Sequence, residues 1–292
     1  VTRMGAGGSE QARHQRKAGK RVKKEKEAPP PTWVAYGKLV KLHRRRAGLT
    51  QPQLAEAVGY SYETVSAIEQ ARRPAKLAFT RGAERELDAR GTLMVLQEEV
   101  DRAKLPEFFR DVALLEEEAL SRYDWDPLLV PGLLQTEGYA RALFSAHCPP
   151  LAEEEIELSV EARLSRQRLL TRKKPVELCF IVGEAALRNP VGGKRVQREQ
   201  LEALRKHADL PHVEIQVMPW TCGFHPGLNG PMVVMETSAH ETVGYVESQE
   251  AGFVVSDADR VSAFTHRYGK MRSLALNPDE SAQFIDRLAG DL

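Results

Sequence analysis

Apolar positions first fall into register at Trp33 and continue through Leu39, Val40 and Leu42, a spacing that predicts a helix ending near Gly48. Short helical segments follow to about Leu105. After Pro106, the residues Phe108, Phe109, Val112, Leu115 and Ala119 make the i, i+3/i+4 stripe of a longer amphipathic helix. The texture then changes. Residues 176–182 (VELCFIV), 213–218 (VEIQVM), 232–236 (MVVME) and 243–247 (VGYVE) read as short strands, with a helix over about 194–208 carrying Leu201 and Leu204 on one side. Residues 257–274 read as a helix. The last helix opens at Asn277-Pro278-Asp279-Glu280, where Asn277 caps, Pro278 suits the first turn and Glu280 reaches back to the cap amide. The fold class is therefore α+β: an all-α N-terminal domain followed by a mixed α/β domain with a small antiparallel or mixed sheet. No internal repeat is visible.

Composition sharpens this division. The 292 residues are long enough for two cores. Residues 1–31 have no apolar periodicity, are rich in Gly, Lys, Arg and Glu, and end in Pro29-Pro30-Pro31, which reads as a disordered basic arm that the prolines keep out of the first helix. The expected domains are the arm (1–31), an all-α domain (32–105) and an α+β domain (106–292). A net charge of +1 conceals an asymmetry: residues 1–76 hold 17 Lys/Arg against 6 Asp/Glu, and the remainder carries a net −10. A positive field at one end attracts a polyanion and speeds encounter with it.

Three further features narrow the setting. No apolar run approaches the roughly 18 residues of a membrane span, and the basic N-terminus has no apolar run behind it, so no secretory signal is expected. Cys148, Cys179 and Cys222 are far apart and lack CxxC spacing, which points to reduced thiols in the cytoplasm, near the nucleoid, with neither a disulfide framework nor a zinc site. A chain beginning at Val1 is expected of a GTG start codon read literally, or of processing, with Met4 as an alternative start.

The chemistry sits in residues 49–74, LTQPQLAEAVGYSYETVSAIEQARRP. Thr50 suits the N-cap of a short helix, Gln51–Val58; Gly59 suits a sharp turn; Ser61 suits the cap of a second helix reaching about Gln70. Leu54, Val58, Val65 and Ile68 are spaced to share a small core with Leu39 and Leu42. That leaves Tyr62, Glu63, Thr64 and Ser66 on the outward face, with Arg72 and Arg73 just past its end. An α-helix fits the major groove and reads bases from its N-terminal end. Glu63 can accept from a cytosine amino group and the Thr64 methyl can touch a thymine methyl. Gln51 and Ser61 sit at helix starts, where exposed amides bind phosphate. Lys41, Arg44, Arg45, Arg46, Arg72 and Arg73 are expected to position the backbone. A single module carries few readers, so a homodimer on a palindromic duplex is expected.

Thr50-Gln51, Ala55, Gly59, Ser66-x-Ile68-Glu69 and Arg72-Arg73 resemble the helix-turn-helix of the XRE/Cro/C1-like repressor family. The resemblance implies a lambda-repressor-like helical domain, with Gln51 on the backbone and residues 62–66 on the bases. Ala71 departs from it, since such repressors usually end the recognition helix with glycine. Further on, Glu116, Trp125, the string VPGLLQTEGYAR at 130–141, residues 184–188 (EAALR), Gln200-Leu201-x-x-Leu204, Val217-Met218-Pro219 and Pro278-x-Glu280-Ser281 are similar to the C-terminal domain of actinobacterial WhiJ-like, antitoxin-like regulators. What this implies is control of DNA binding through a small protein encoded by a neighbouring gene.

Other chemistry is weakly signalled. The histidines are scattered without metal-ligand spacing, and no GxSxG, P-loop or dinucleotide fingerprint occurs, so no enzyme, metal or cofactor is expected. Residues 220–227 (WTCGFHPG) form a Gly/Pro-rich loop whose Trp220, Phe224 and His225 either line a ligand or partner surface or fold back over the sheet edge. The acidic runs at 116–118 and 153–155 read as solvated helix faces. The reading is a sequence-specific regulator, a repressor, controlled through its C-terminal domain by a small protein or ligand. The alternative is an antitoxin-like module that neutralises a partner and binds DNA for autoregulation.

Overall fold

A computed structural model describes residues 28–105, 107–249 and 251–292; most of the basic arm therefore lies outside the described residues. The helical domain contains α1 (Pro31–Arg46), α2 (Gln51–Val58), α3 (Tyr62–Glu69), α4 (Leu77–Glu86), α5 (Thr92–Val95) and α6 (Gln97–Arg102). Pro31 lies inside the first turn of α1 instead of fencing it off, because an N-terminal turn has no use for the amide that proline lacks. Tyr36, Val40, Leu54, Val65, Ile68, Phe79, Leu93 and Val100 make one core. Leu42 does not join them and is 49% exposed: Val40 holds the inward position, and two residues further on a helix face the other way. The Trp33 indole donates to Val100 O at 3.1 Å and ties α1 to α6.

The second domain runs α7 (Glu107–Glu118), β1 (Ser121–Asp126), α8 (Glu137–Ser145), α9 (Glu153–Ser165), β2 (Glu177–Gly183), α10 (Glu184–Arg188), α11 (Lys194–Ala208), β3 (Val213–Met218), β4 (Met232–Glu236), β5 (Thr242–Ser248), β6 (Ala251–Val255), α12 (Ala258–Arg272) and α13 (Pro278–Asp291). Its sheet is mixed, in the order β3-β2-β1-β4-β5-β6. β1, β2 and β3 are parallel, and β4, β5 and β6 continue antiparallel from β1. Strands β2–β5 and helices α11–α13 fall where the apolar pattern puts them. Asn277 accepts from Glu280 N at 2.9 Å while the Glu280 carboxylate accepts from Asn277 N at 3.1 Å, the expected capping box. Thr136 likewise caps α8. The three cysteines are unpaired.

Both sheet faces are covered. On one, Leu178, Phe180 and Val182 of β2 and Ile215 and Val217 of β3 pack with Leu187, Leu201, Leu204 and Ile285 of the helices. Farther along that face, Val112 and Ala113 of α7 meet Val233, Met235, Val243 and Tyr245. The side chains at 108 and 109 lie outside the described residues. On the opposite face, Trp125, Ile181, Met232 and Val234 pack against Phe264, Tyr268 and Met271 of α12.

Neither β1, which is mostly polar and charged, nor β6, which is short and begins Ala-Gly, is expected as a strand. β1 is SRYDWD: its pleat sends Tyr123 and Trp125 to the α12 side and Arg122 and Asp124 to the other, where both charges are buried. There Arg122 holds Asp124 at 2.7 and 2.8 Å and also bonds Glu116, which Arg166 grips with two hydrogen bonds of 2.6 and 3.0 Å. The 116–118 run is thus a solvated face only in part: Glu116 is buried, while Glu117 and Glu118 are exposed and Glu117 pairs with Arg102 and Arg168. The 153–155 run is exposed. Burial alone raises the Glu116 pKa, but Arg166 and Arg122 outweigh it and hold the carboxyl below its ordinary range.

Glu116→Ala removes the buried carboxylate that Arg122 and Arg166 share, leaving Arg122 with Asp124, and is expected to cost about 3–5 kcal/mol in urea unfolding at neutral pH. Exposed Glu154→Ala is expected to cost under about 1 kcal/mol. A depressed pKa contributes stability above the ordinary glutamate range and loses it in acid, so the Glu116 difference shrinks as pH falls.

Candidate nucleic-acid interface

Each helix of the reader starts and stops on a local signal. The Thr50 hydroxyl accepts from Gln53 N, and the Gln53 side chain accepts from Thr50 N at 2.8 Å, so α2 opens with a capping box. Gly59 ends α2 at φ 73°, a left-handed conformation that costs glycine little. The Ser61 hydroxyl then accepts from Thr64 N at 3.2 Å and starts α3. At the far end, Arg72 N bonds Ala67 O and Ala71 N bonds Ile68 O, the Schellman pattern, with Ala71 itself at φ 56°. The turn keeps its form without glycine and carries the strain of a Cβ.

One buried ion pair fixes the angle between these helices. Arg44, at the end of α1, bonds the Glu69 carboxylate of α3 at 2.5 and 2.9 Å and donates to Leu49 O at 2.8 Å. The Gln51 amide, at the start of α2, donates to the same carboxylate at 2.7 Å. Bonding to Glu69 raises the Arg44 pKa above its ordinary value.

This corrects the expected roles of two residues. Arg44 is buried and committed to Glu69, which removes it from the phosphate-facing cations. Ser66 is also buried, accepting from the Gln70 amide at 2.9 Å, because Val65, Ser66, Ile68 and Glu69 together form the inward side of a helix only two turns long. Gln51 keeps its place at the start of α2 but spends one amide hydrogen inside the protein.

The outward side is Tyr62 and Glu63, both exposed, with Thr64 half-buried beside them. Lys41, Arg45, Thr50, Gln51 and Tyr62 border a shallow concavity at the starts of α2 and α3, where amides and cations converge as a phosphate requires. Arg46 and Arg72 are exposed nearby, and Arg73 is half-buried. Two residues escape the sequence reading. Glu69 could be found only from the contact between α1 and α3. Gln70 is exposed at the end of α3 and has the carboxamide that pairs with adenine.

The aromatic loop is split by the fold. His225 is buried, edge-on to the Trp125 indole at 5.3 Å, and burial pulls its pKa down. The same indole donates to Gly227 O at 2.8 Å, and a Cβ at Gly227 would collide with Trp125 and Met271, so the loop is anchored from inside. Phe224 is 85% exposed and Trp220 63%, the latter capped by the Arg188 guanidinium at 5.5 Å. These aromatics are not folded back over the sheet edge.

A capped two-helix reader on a rigid ion-paired frame, rimmed with cations, defines a helix-turn-helix DNA-binding protein. Residues 35–91 match the family described as a helix-turn-helix domain. Residues 109–287 match the family described as a domain of unknown function, DUF5753; this match spans more than half of the chain, which belongs to that family. No curated protein and no solved structure matches the chain. Among the described residues, no helix is long and apolar enough to cross a membrane.

Ala71→Gly is expected to raise stability by up to about 1 kcal/mol, read as a higher Tm, because it releases a left-handed alanine. Arg45→Ala and Arg46→Ala are each expected to lower the salt slope of DNA binding by about one. Arg44→Lys is expected to lower Tm and leave that slope unchanged, separating the frame from the rim.

Proposed function

We propose that the protein is a homodimeric, sequence-specific transcriptional regulator of the XRE/Cro/C1-like type, a cytoplasmic repressor acting on the nucleoid. Its C-terminal domain, similar to that of WhiJ-like regulators, sets the placement of the two readers and answers to a small protein or ligand. No catalytic role is assigned to it. The observation that carries the reading is the first turn of α3, whose Tyr62 and Glu63 are free beside cations while the rest of the helix is locked in place. In this reading Lys41, Arg45, Arg46, Ser61, Arg72 and Arg73 hold phosphates, and Tyr62, Glu63 and Thr64 read bases.

Control through the C-terminal domain is supported by a contact between the domains. Glu161 of α9 receives Lys104 at 3.0 Å and Lys76 at 3.2 Å, and Lys104 also meets Asp101 at 2.7 Å. Lys104 is only 4% exposed, while Glu161 is 33% and Lys76 50% exposed, so one arm of this latch is sealed and the other meets solvent. Burial raises the Glu161 pKa, yet the two lysines outweigh it and keep the carboxyl below its ordinary range. Lys76 occupies the N-cap position of α4, next in sequence to the reader, so the contact ties α9 to the segment that follows α3.

The antitoxin-like reading draws on a different observation, the solvent-facing Phe224 and Trp220, which suit a protein partner. Replacing both by alanine separates the readings: DNA binding survives if they serve only a partner.

Selection from a randomised duplex pool is expected to enrich a palindrome whose half-sites lie about 10 base pairs, or a multiple, apart. Glu63→Ala with Thr64→Ala is expected to flatten that preference while leaving the salt slope intact. A pool that stays random for the intact protein at moderate ionic strength would remove the DNA-reading assignment. Glu161→Gln is expected to shift operator affinity without altering base preference.

A further inference from the structure

The two edges of the sheet are finished differently. β3 forms one edge and β6 the other. At β3 the chain closes its own edge: Leu276 N donates to Val217 O at 2.9 Å, and Val217 N donates to Ser281 Oγ at 2.9 Å. The same strand carries a charge, Glu214, paired with Arg272 at 2.8 Å. Cover and charge are ordinary means by which a protein keeps an edge from pairing with another chain.

β6 has neither. Its five residues, Ala-Gly-Phe-Val-Val, include no charge and no proline. The alternation of an antiparallel ladder decides which of its backbone groups point outward. Thr237 N donates to Glu241 O at 2.9 Å, so residues 241, 243 and 245 turn their backbone groups toward β4. Residues 244, 246 and 248 then turn theirs toward β6, where they meet Val255, Phe253 and Ala251. The amides and carbonyls of Gly252 and Val254 are left facing away from the sheet. Among the described residues, none of these four groups has a hydrogen-bond partner.

The side chains agree with the backbone. Val254 pairs with Tyr245, so it lies on the α7 side of the sheet, where it is 40% exposed. Phe253 lies on the α12 side with Val255 and is 62% exposed. Free hydrogen-bonding groups flanked by apolar side chains on both faces make a strand edge that another strand completes.

We propose that β6 pairs antiparallel with β6 of a second copy, joining the two sheets across a two-fold axis at Phe253. In this register Gly252 stands opposite the partner's Val254, and Val254 opposite the partner's Gly252. Four hydrogen bonds then satisfy every outward group of both copies. The two Phe253 residues face each other at the position between these bonded pairs, where Cα atoms approach to about 4.5 Å. Cross-strand aromatic pairs of this kind stabilise a sheet.

A second copy suits this edge better than a foreign strand. Gly252-Phe253-Val254 complements itself about its centre, so one axis serves every group and the assembly closes at two. The strand is uncharged, so two copies meet without like-charge repulsion across the pair. The basic arm offers no competing strand, because residues 1–27 lack the apolar alternation that packing on Phe253 and Val254 rewards. The interface deepens the proposed homodimer and rests on it: it names the face that joins the copies and so spaces their two readers.

The test uses the full chain without DNA. Sedimentation at micromolar concentration is expected to give twice the chain mass. Phe253→Lys places a charge on the axis, and Val254→Pro removes an outward amide. With melting curves confirming that each folds, both are expected to weaken dimerisation roughly tenfold or more, since they strike the centre of the contact. Phe224→Lys, on the exposed aromatic loop, is expected to leave the dimer intact. In a chain with Cys148→Ser and Cys222→Ser, adding Phe253→Cys is expected to crosslink the copies on oxidation, because facing Cα atoms at that spacing lie within disulfide reach. Adding Leu128→Cys instead, also at an exposed residue, is expected to leave them separate. A parent chain that sediments as a monomer overturns the homodimer reading together with this interface. A dimer that survives both β6 variants, that fails to crosslink through position 253, or that is lost on Phe224→Lys or on deletion of residues 1–27 overturns the interface alone.

Discussion

A charge removed from water must meet an opposite charge, and this requirement organises the molecule more than any single core does. It is met in the reader by Arg44, Glu69 and Gln51, at the domain junction by Glu161 with Lys76 and Lys104, and under the sheet by Glu116, Arg122, Asp124 and Arg166. Each set joins segments far apart in the chain. Buried pairs add little net stability over apolar residues of the same shape, because desolvation consumes most of the Coulombic gain. They do make misplacement costly. The apolar clusters supply the driving force for folding, and the ion pairs dictate the angles at which the elements come together.

This division of labour fits the demands on a DNA reader. Phosphate contacts fix register and a few side chains discriminate bases, so an error in helix angle spoils both. Arg44 sits where it braces both helices of the reader, since its guanidinium meets the last turn of α3 while its Leu49 bond touches the approach to α2. The left-handed Ala71 is tolerated just beyond Glu69, where the ion pair already pins the last turn of α3. Local strain persists where the surroundings over-determine the backbone.

What the sequence reveals follows the range of the interaction involved. Caps and turns act over three or four residues, so Thr50, Gly59, Ser61, Thr136 and Asn277 could be assigned from their immediate neighbours. Strands β2–β5 are apolar on buried faces and stand out for that reason. β1 is concealed because its inward residues are charged, and β6 because it is short and begins Ala-Gly. Arg44, Glu69 and Glu116 look like surface residues until tertiary contacts bring their partners, 25 residues apart in the first pair, into reach. Ser66 misleads for the opposite reason: serine carries no mark of burial, and on so short a helix one small residue can face inward unnoticed.

The energy scale of the latch bears on what kind of regulator α9 can support. A tenfold change in operator affinity corresponds to about 1.4 kcal/mol. An exposed ion pair offers about 0.2–1 kcal/mol, too little and easily screened by salt. Glu161 instead holds two lysines, one of them sealed, and loss of one partner from a sealed pair costs more than its exposed counterpart. Complete switching from 1:99 to 99:1 requires about 5.5 kcal/mol of differential binding, beyond what a single half-buried carboxylate supplies. On the proposed regulatory reading, the contact is therefore scaled for graded adjustment of DNA affinity. In the homodimer proposed above, a second copy multiplies that adjustment, because a two-fold assembly registers the change at both half-sites at once.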